Sequence, residues 1–113
     1  MAACFAILKR LALGLMAASA ALQASAAPPL TLVLVNHRFT PDHITIPAGQ
    51  RFKLHVTSHD LTPDEFESPD LRVEKIVMPG QTIMVMAGPL SPGTYKFYDD
   101  YHPETAQGVA EAQ

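Results

Sequence analysis

The chain has 113 residues, eleven acids against eight Lys and Arg, and a formal net charge of −3 with its histidines neutral. That length holds one small domain, and the acidic balance argues against nucleic acid or an anionic membrane surface as a partner. A single cysteine, Cys4, excludes a disulfide framework.

The first element in chain order is a targeting pattern. Lys9 and Arg10 precede an apolar run from Leu11 to Leu22, and Ala24-Ser25-Ala26 has the small-x-small form of a cleavage site. Charged start, short apolar middle and small-residue end predict a secretory signal over residues 1–26. The apolar run falls short of the roughly 20 residues a membrane span needs. On this reading the mature protein is residues 27–113, lies in the periplasm, and carries no thiol, because Cys4 leaves with the signal. Lys9 and Arg10 leave as well, so six Lys and Arg then face eleven acids.

From Leu30 onward the hydrophobic period is two, not 3.6. Leu30 to Val35 predicts a strand apolar on both faces, Ile44 and Ile46 a shorter one, and Phe52, Leu54 and Val56 a half-buried one. Gln81 to Met86 and Thr94 to Tyr98 complete the set. Pro47-Ala48-Gly49, Pro79-Gly80 and Pro92-Gly93 stand before strands and supply the φ values that turns require. Short strands between such turns predict an all-β, single-domain sandwich of antiparallel strands with Greek-key connections. Ser58 to Leu71, polar and broken by Pro63 and Pro69, predicts a loop across one end of it.

Chemistry concentrates near the chain's end, where Phe97-Tyr98-Asp99-Asp100-Tyr101-His102-Pro103-Glu104 gathers three carboxylates and one imidazole. Upstream, Glu65 and Glu67 are two apart and share one side of an extended segment. Spacing alone favours a solvated edge with two ordinary acids. Met84 and Met86 share a face of an apolar strand and read as core packing. Tyr98 and Tyr101 read as buried packing. His55 points outward, and His37 and His43 belong to the opposite end of the fold, so all three are expected at the surface.

Several segments together carry a family resemblance: FTPDHITIPAGQRFKLHVTSHD, EFES (Glu65 to Ser68), VEK (Val73 to Lys75), GPLSPGTY (Gly88 to Tyr95) and DDYHPETA (Asp99 to Ala106). In this order they resemble the cupredoxin-like domain of periplasmic iron-uptake proteins, the EfeO-type domains and the small cupredoxin that accompanies a ferrous-iron permease. The resemblance spans about residues 30 to 110. It implies a cupredoxin-like Greek-key β-sandwich with Asp99 where a blue-copper protein has its thiolate and with His102 keeping the imidazole. It implies metal ligation by Glu65, Glu67, Asp99 and His102, with His59, Asp64, Asp100 and Glu104 as weaker candidates. The bound ion would be iron or copper. Partners would be an inner-membrane iron permease and a second periplasmic metal-binding protein, and the activity iron oxidation, electron transfer or delivery.

Carboxylates and imidazole without thiolate exclude a blue-copper centre and suit Fe, Mn, Zn or Cu(II). Two other readings stay open: a periplasmic copper-binding or resistance protein holding Cu(I) on Met84 or Met86, and a metal-free interaction module.

Overall fold

The computed structural model describes residues 29–113, with Gly14, Ala18 and Ser19 as isolated positions ahead of them. The expected signal segment, residues 1–26, otherwise lies outside the described residues. Nine strands follow among those described: β1 (Leu30–Val35), β2 (Arg38–Thr40), β3 (His43–Ile46), β4 (Phe52–Ser58), β5 (Asp64–Ser68), β6 (Val73–Val77), β7 (Thr82–Ala87), β8 (Gly93–Asp99) and β9 (Gln107–Ala112).

They form two sheets, ordered β2-β1-β4-β7 and β3-β9-β8-β5-β6. The expected sandwich is present, but its pairing is mixed: β1 runs parallel to β4 and β3 parallel to β9, while the remaining neighbours are antiparallel. Inward positions alternate as the period-two pattern requires. Leu32, Leu34, Leu54, Val56 and Val85 from one sheet meet Ile46, Phe66, Val77, Phe97 and Ala110 from the other, each almost completely buried. Phe39, Phe66 and Phe97 form the aromatic centre. Phe39 stands edge-on to Phe97 at a centroid separation of 5.0 Å and edge-on to Phe66 at 6.1 Å, the geometry that aromatic quadrupoles favour.

Two expectations need correction. The segment 58–71 is not all loop, because β5 runs through it and pairs with β6 and β8. Its charged residues hide the strand from a hydrophobic count, since Asp64 and Glu65 are themselves buried. Met84 and Met86 are not core either. Both are about half exposed, because β7 turns Val85 and Ala87 inward and leaves the alternate positions to solvent.

The pairing directions decide what meets at one end of the sandwich. Parallel strands share their C-terminal ends, so the tip after β1 and the loop after β4 lie together. Antiparallel β5 and β8 bring the start of β5 against the end of β8. Four chain segments thus converge at one rim.

Candidate metal centre

Each segment contributes for a local reason. Asn36 and His37 join β1 to β2 as a two-residue hairpin loop, flanked by the pair Val35 and Arg38. Both have φ of 52°, the left-handed pair that a type I′ turn demands and that Asn and His tolerate better than most residues. The turn lifts the His37 imidazole over the rim. Its backbone N–H donates to the Asp60 carboxylate at 3.2 Å, and its carbonyl accepts from the Thr105 hydroxyl at 2.7 Å.

The first residue of β5, Asp64, points inward with no exposed surface. Ser58 donates its hydroxyl to Asp64 Oδ2 at 2.9 Å, and Asp64 Oδ1 meets His37 Nδ1 at 2.8 Å and His102 Nδ1 at 3.5 Å. Asp99, equally buried, closes β8. Its Oδ1 accepts from the backbone N–H of Glu65 at 2.8 Å and of Tyr101 at 3.1 Å. Its Oδ2 meets His102 Nδ1 at 3.0 Å. After Asp99 the chain turns tightly, His102 N–H donating to the Asp99 carbonyl and Ala106 N–H to the His102 carbonyl. The two imidazoles stack, centroids 3.4 Å apart and 13° from parallel.

His37, Asp64, Asp99 and His102 therefore form one compact group, each with a donor atom within 4.8 Å of the others. Electrostatics mark it out. Burial pushes the Asp64 carboxyl up to about 7, the Asp99 carboxyl adding to the shift and His37 opposing it. Burial works against the charge on Asp99 too. Contact with Asp64, two backbone N–H donors and His102 nevertheless hold it below the ordinary carboxylate range. Asp64 raises the His37 imidazole against the desolvation that would lower it, with Asp60 and Asp99 acting the same way as Asp64. Two buried acids this close cannot both ionise freely. A proton, or a cation in its place, holds them together.

The donor set fits a transition ion. Tetrahedral coordination at roughly 2.1 Å places donors about 3.4 Å from one another, and the contacts above span 2.8 to 3.5 Å. Two imidazoles with carboxylates are donors for Fe, Cu(II) or Zn, and among the described residues there is no thiolate to favour a softer ion.

The expected ligands divide between two places. Asp99 and His102 meet here, joined by Asp64. Glu65, Glu67 and Asp100 form a separate group on the other side of the same strand ends. His59 is exposed and engages β1 through its backbone, donating to the Leu34 carbonyl. Glu104 is exposed on the turn. Neither belongs to a group. His37, expected at the far end of the fold, stacks on His102 instead. The parallel pairing of β1 with β4 is what carries the end of β1 to the loop after β4. The Asn36-His37 pair between strand residues was the available signal. Tyr101, expected as buried packing, is nearly half exposed.

The match to a model of the cupredoxin-like domain runs over residues 6–110. This chain belongs to that family. Among its relatives, this cupredoxin-like protein is 40% identical over 77 residues to an uncharacterised protein of Rickettsia prowazekii (strain Madrid E). The match covers 68% of this chain and 62% of that relative's length. Solved structures share the fold at low identity. The purple cupredoxin of Nitrosopumilus maritimus superposes with a TM-score of 0.58 at 18% identity, over 74% of this chain and 99% of that one. Auracyanin from Roseiflexus castenholzii gives 0.62 at 16%, over 78% and 98%. Amicyanin from Paracoccus versutus gives 0.61 at 12%, over 80% and 86%. In this cupredoxin-like domain the rim that holds the buried acids carries no cysteine among the described residues.

Proposed function

We propose that this cupredoxin-like protein binds iron or Cu(II) through His37, Asp64, Asp99 and His102 and works in ferrous-iron uptake in the periplasm. The carrying observation is the buried Asp64–Asp99 pair set against the Nδ1 edges of two stacked imidazoles, a cluster costly to build unless a cation joins it. The iron assignment draws on the EFES, VEK and DDYH segments that resemble iron-uptake cupredoxins. The periplasmic assignment draws on the signal pattern of residues 1–26. An inner-membrane permease and a second periplasmic metal-binding protein are the partners this reading requires.

Anionic oxygen donors stabilise Fe(III) over Fe(II), so a bound iron would be easier to oxidise than the aqueous ion. The protein's own residues supply the rest. Ser58 and the Glu65 and Tyr101 N–H groups fix the carboxylates. Asp60 and Thr105 anchor the turn that carries His37. Burial keeps bulk water from the acid pair.

An ion that binds only the folded state raises its stability by about 2.7 kcal/mol at a hundredfold excess over the dissociation constant. Melting of wild type, Asp99→Asn and His102→Ala should therefore be compared with and without Fe(II), Cu(II) and Zn(II). The wild type should gain stability with at least one ion, and both variants should lose most of that gain. If all three proteins melt identically with and without each ion, the chain is a metal-free interaction module.

A further inference from the structure

Three of the four donors in the centre come from one sheet. Asp64 opens β5, Asp99 closes β8 and His102 sits on the turn that follows, all on the sheet ordered β3-β9-β8-β5-β6. His37 alone comes from the other sheet, at the tip of the hairpin between β1 and β2. There β2 is three residues long and forms the sheet's edge, so the sheet braces the tip only through β1. In a two-residue hairpin loop the ladder offers no partner to the N–H of the second loop residue. The position of the fourth donor has to be fixed from outside the hairpin.

The loop after β4 supplies the brace. His59 N–H donates to the Leu34 carbonyl at 2.8 Å, which carries the parallel pairing of β1 and β4 past the strand ends and lays Asp60 beside the hairpin. Asp60 is buried. The His37 backbone N–H donates to both of its carboxylate oxygens at 3.2 Å, and Oδ2 also lies 3.2 Å from His37 Nδ1. Thr62, two residues on, has its hydroxyl 3.3 Å from His37 Nε2. Behind the carboxylate, Asp60 N–H donates to the Ser58 hydroxyl at 3.1 Å, and that hydroxyl donates to Asp64 Oδ2 at 2.9 Å. Asp60 thus grips both backbone and ring of His37 and is tied, through one serine, to a donor from the opposite sheet. A third carboxylate buried beside Asp64 and Asp99 is costly. Among the described residues the N–H groups that reach it are those of His37, and Nδ1 stands closer to Asp64, at 2.8 Å. Stability alone does not account for that placement.

We propose that Asp60 is the positioning residue that sets whether a bound ion takes one imidazole or two. With Asp60 in place, His37 stands over the rim and joins Asp64, Asp99 and His102. Without it the hairpin tip leaves the rim, and an ion is held by two carboxylates and one imidazole. Imidazole suits Cu, Fe and Zn, whereas carboxylates suit Mn, so Asp60 tilts the centre towards the former. The role rests on the metal-centre reading and adds an ion preference to it.

Cu(II) is a suitable probe, because nitrogen hyperfine structure in its electron paramagnetic resonance counts bound imidazoles. Wild type, His37→Ala, Asp60→Ala and Asp60→Asn are loaded with Cu(II), and Cu(II) and Mn(II) affinities are measured for each. Two nitrogens are expected in the wild type and in Asp60→Asn, whose amide oxygen still accepts from the His37 N–H. The other two variants should show one. Asp60→Ala should weaken Cu(II) binding by about 10–100-fold, as loss of an outer metal partner does, and Mn(II) binding by less. Adding Asp60→Ala to His37→Ala should weaken Cu(II) no further, because Asp60 acts through that residue. Two nitrogens in Asp60→Ala, equal losses for both ions, or a further loss in the double variant overturns the role and leaves the metal centre standing. A wild type that binds no Cu(II) ends both. If Asp60→Ala does not fold, hydrogen exchange of the metal-free wild type decides. The His37 N–H should be protected there, and exchange as fast as in an open loop overturns the clamp.

Discussion

At the scale of single residues, the protonation of Asp64 controls the centre. Its folded value of about 7 stands above the ordinary 3.8, so between those values the folded chain holds a proton that the unfolded chain has released. The stability this brings is complete below the ordinary value and is lost as pH rises through about 7. His37, also raised, acts with the same sign, whereas Asp99, lowered, contributes stability that is lost as pH falls through its folded value. Metal-free protein in chelator should accordingly melt lower at about pH 8 than at about pH 5, and Asp64→Asn should flatten that slope. Ion binding runs the other way, because coordination needs those protons removed. The metal-induced gain in melting temperature should grow from about pH 5 to about pH 8, and a gain independent of pH would remove His37 and Asp64 from the ligand set.

Among the elements, β8 and β9 carry both the rim and its support. Gly108 pairs with Phe97 across these strands. A Cβ there would overlap the Phe97 ring and come within 2.7 Å of the Asp42 carbonyl. The ring cannot retreat, since Phe39 and Phe66 pack against it. Gly108→Ala should cost about 1–3 kcal/mol, the usual penalty of overpacking, measured by denaturant melts of the metal-free protein. Loss of stability is expected without loss of the ligands. The strand pattern of β1, β3, β4, β7 and β8 was legible because apolar residues alternate there. β5 was not, because its alternation is between buried acids and one phenylalanine, and a hydrophobicity count reads acids as loop. β6 carries two charges in five residues and β9 is rich in small side chains, so neither gives a strong period-two signal.

For the molecule as a whole, the exposed outer face of β7 tests the copper alternative. Met84 stands beside His55 on β4, and Met86 beside Lys53, all directed away from the core. Met84→Ala/Met86→Ala should change stability by no more than about 0.5 kcal/mol per site, as surface substitutions do. Binding of Fe(II) or Cu(II) should remain as in the wild type. Tight Cu(I) binding that disappears with those methionines would instead favour the copper-resistance reading.

Local pattern determined which segments are strands, where most turns fall, that residues 29–113 hold no cysteine, and that acids crowd the loop after β8. These follow from short-range sterics, from the period of side chains along a strand and from residue chemistry. Only the tertiary structure decided which acids share a pocket. Two parallel pairings carry the tip after β1 to the rim, and a one-residue step along β5 separates Asp64 from Glu65. Both depend on strand direction and register, and those are chosen by contacts between residues far apart in the chain.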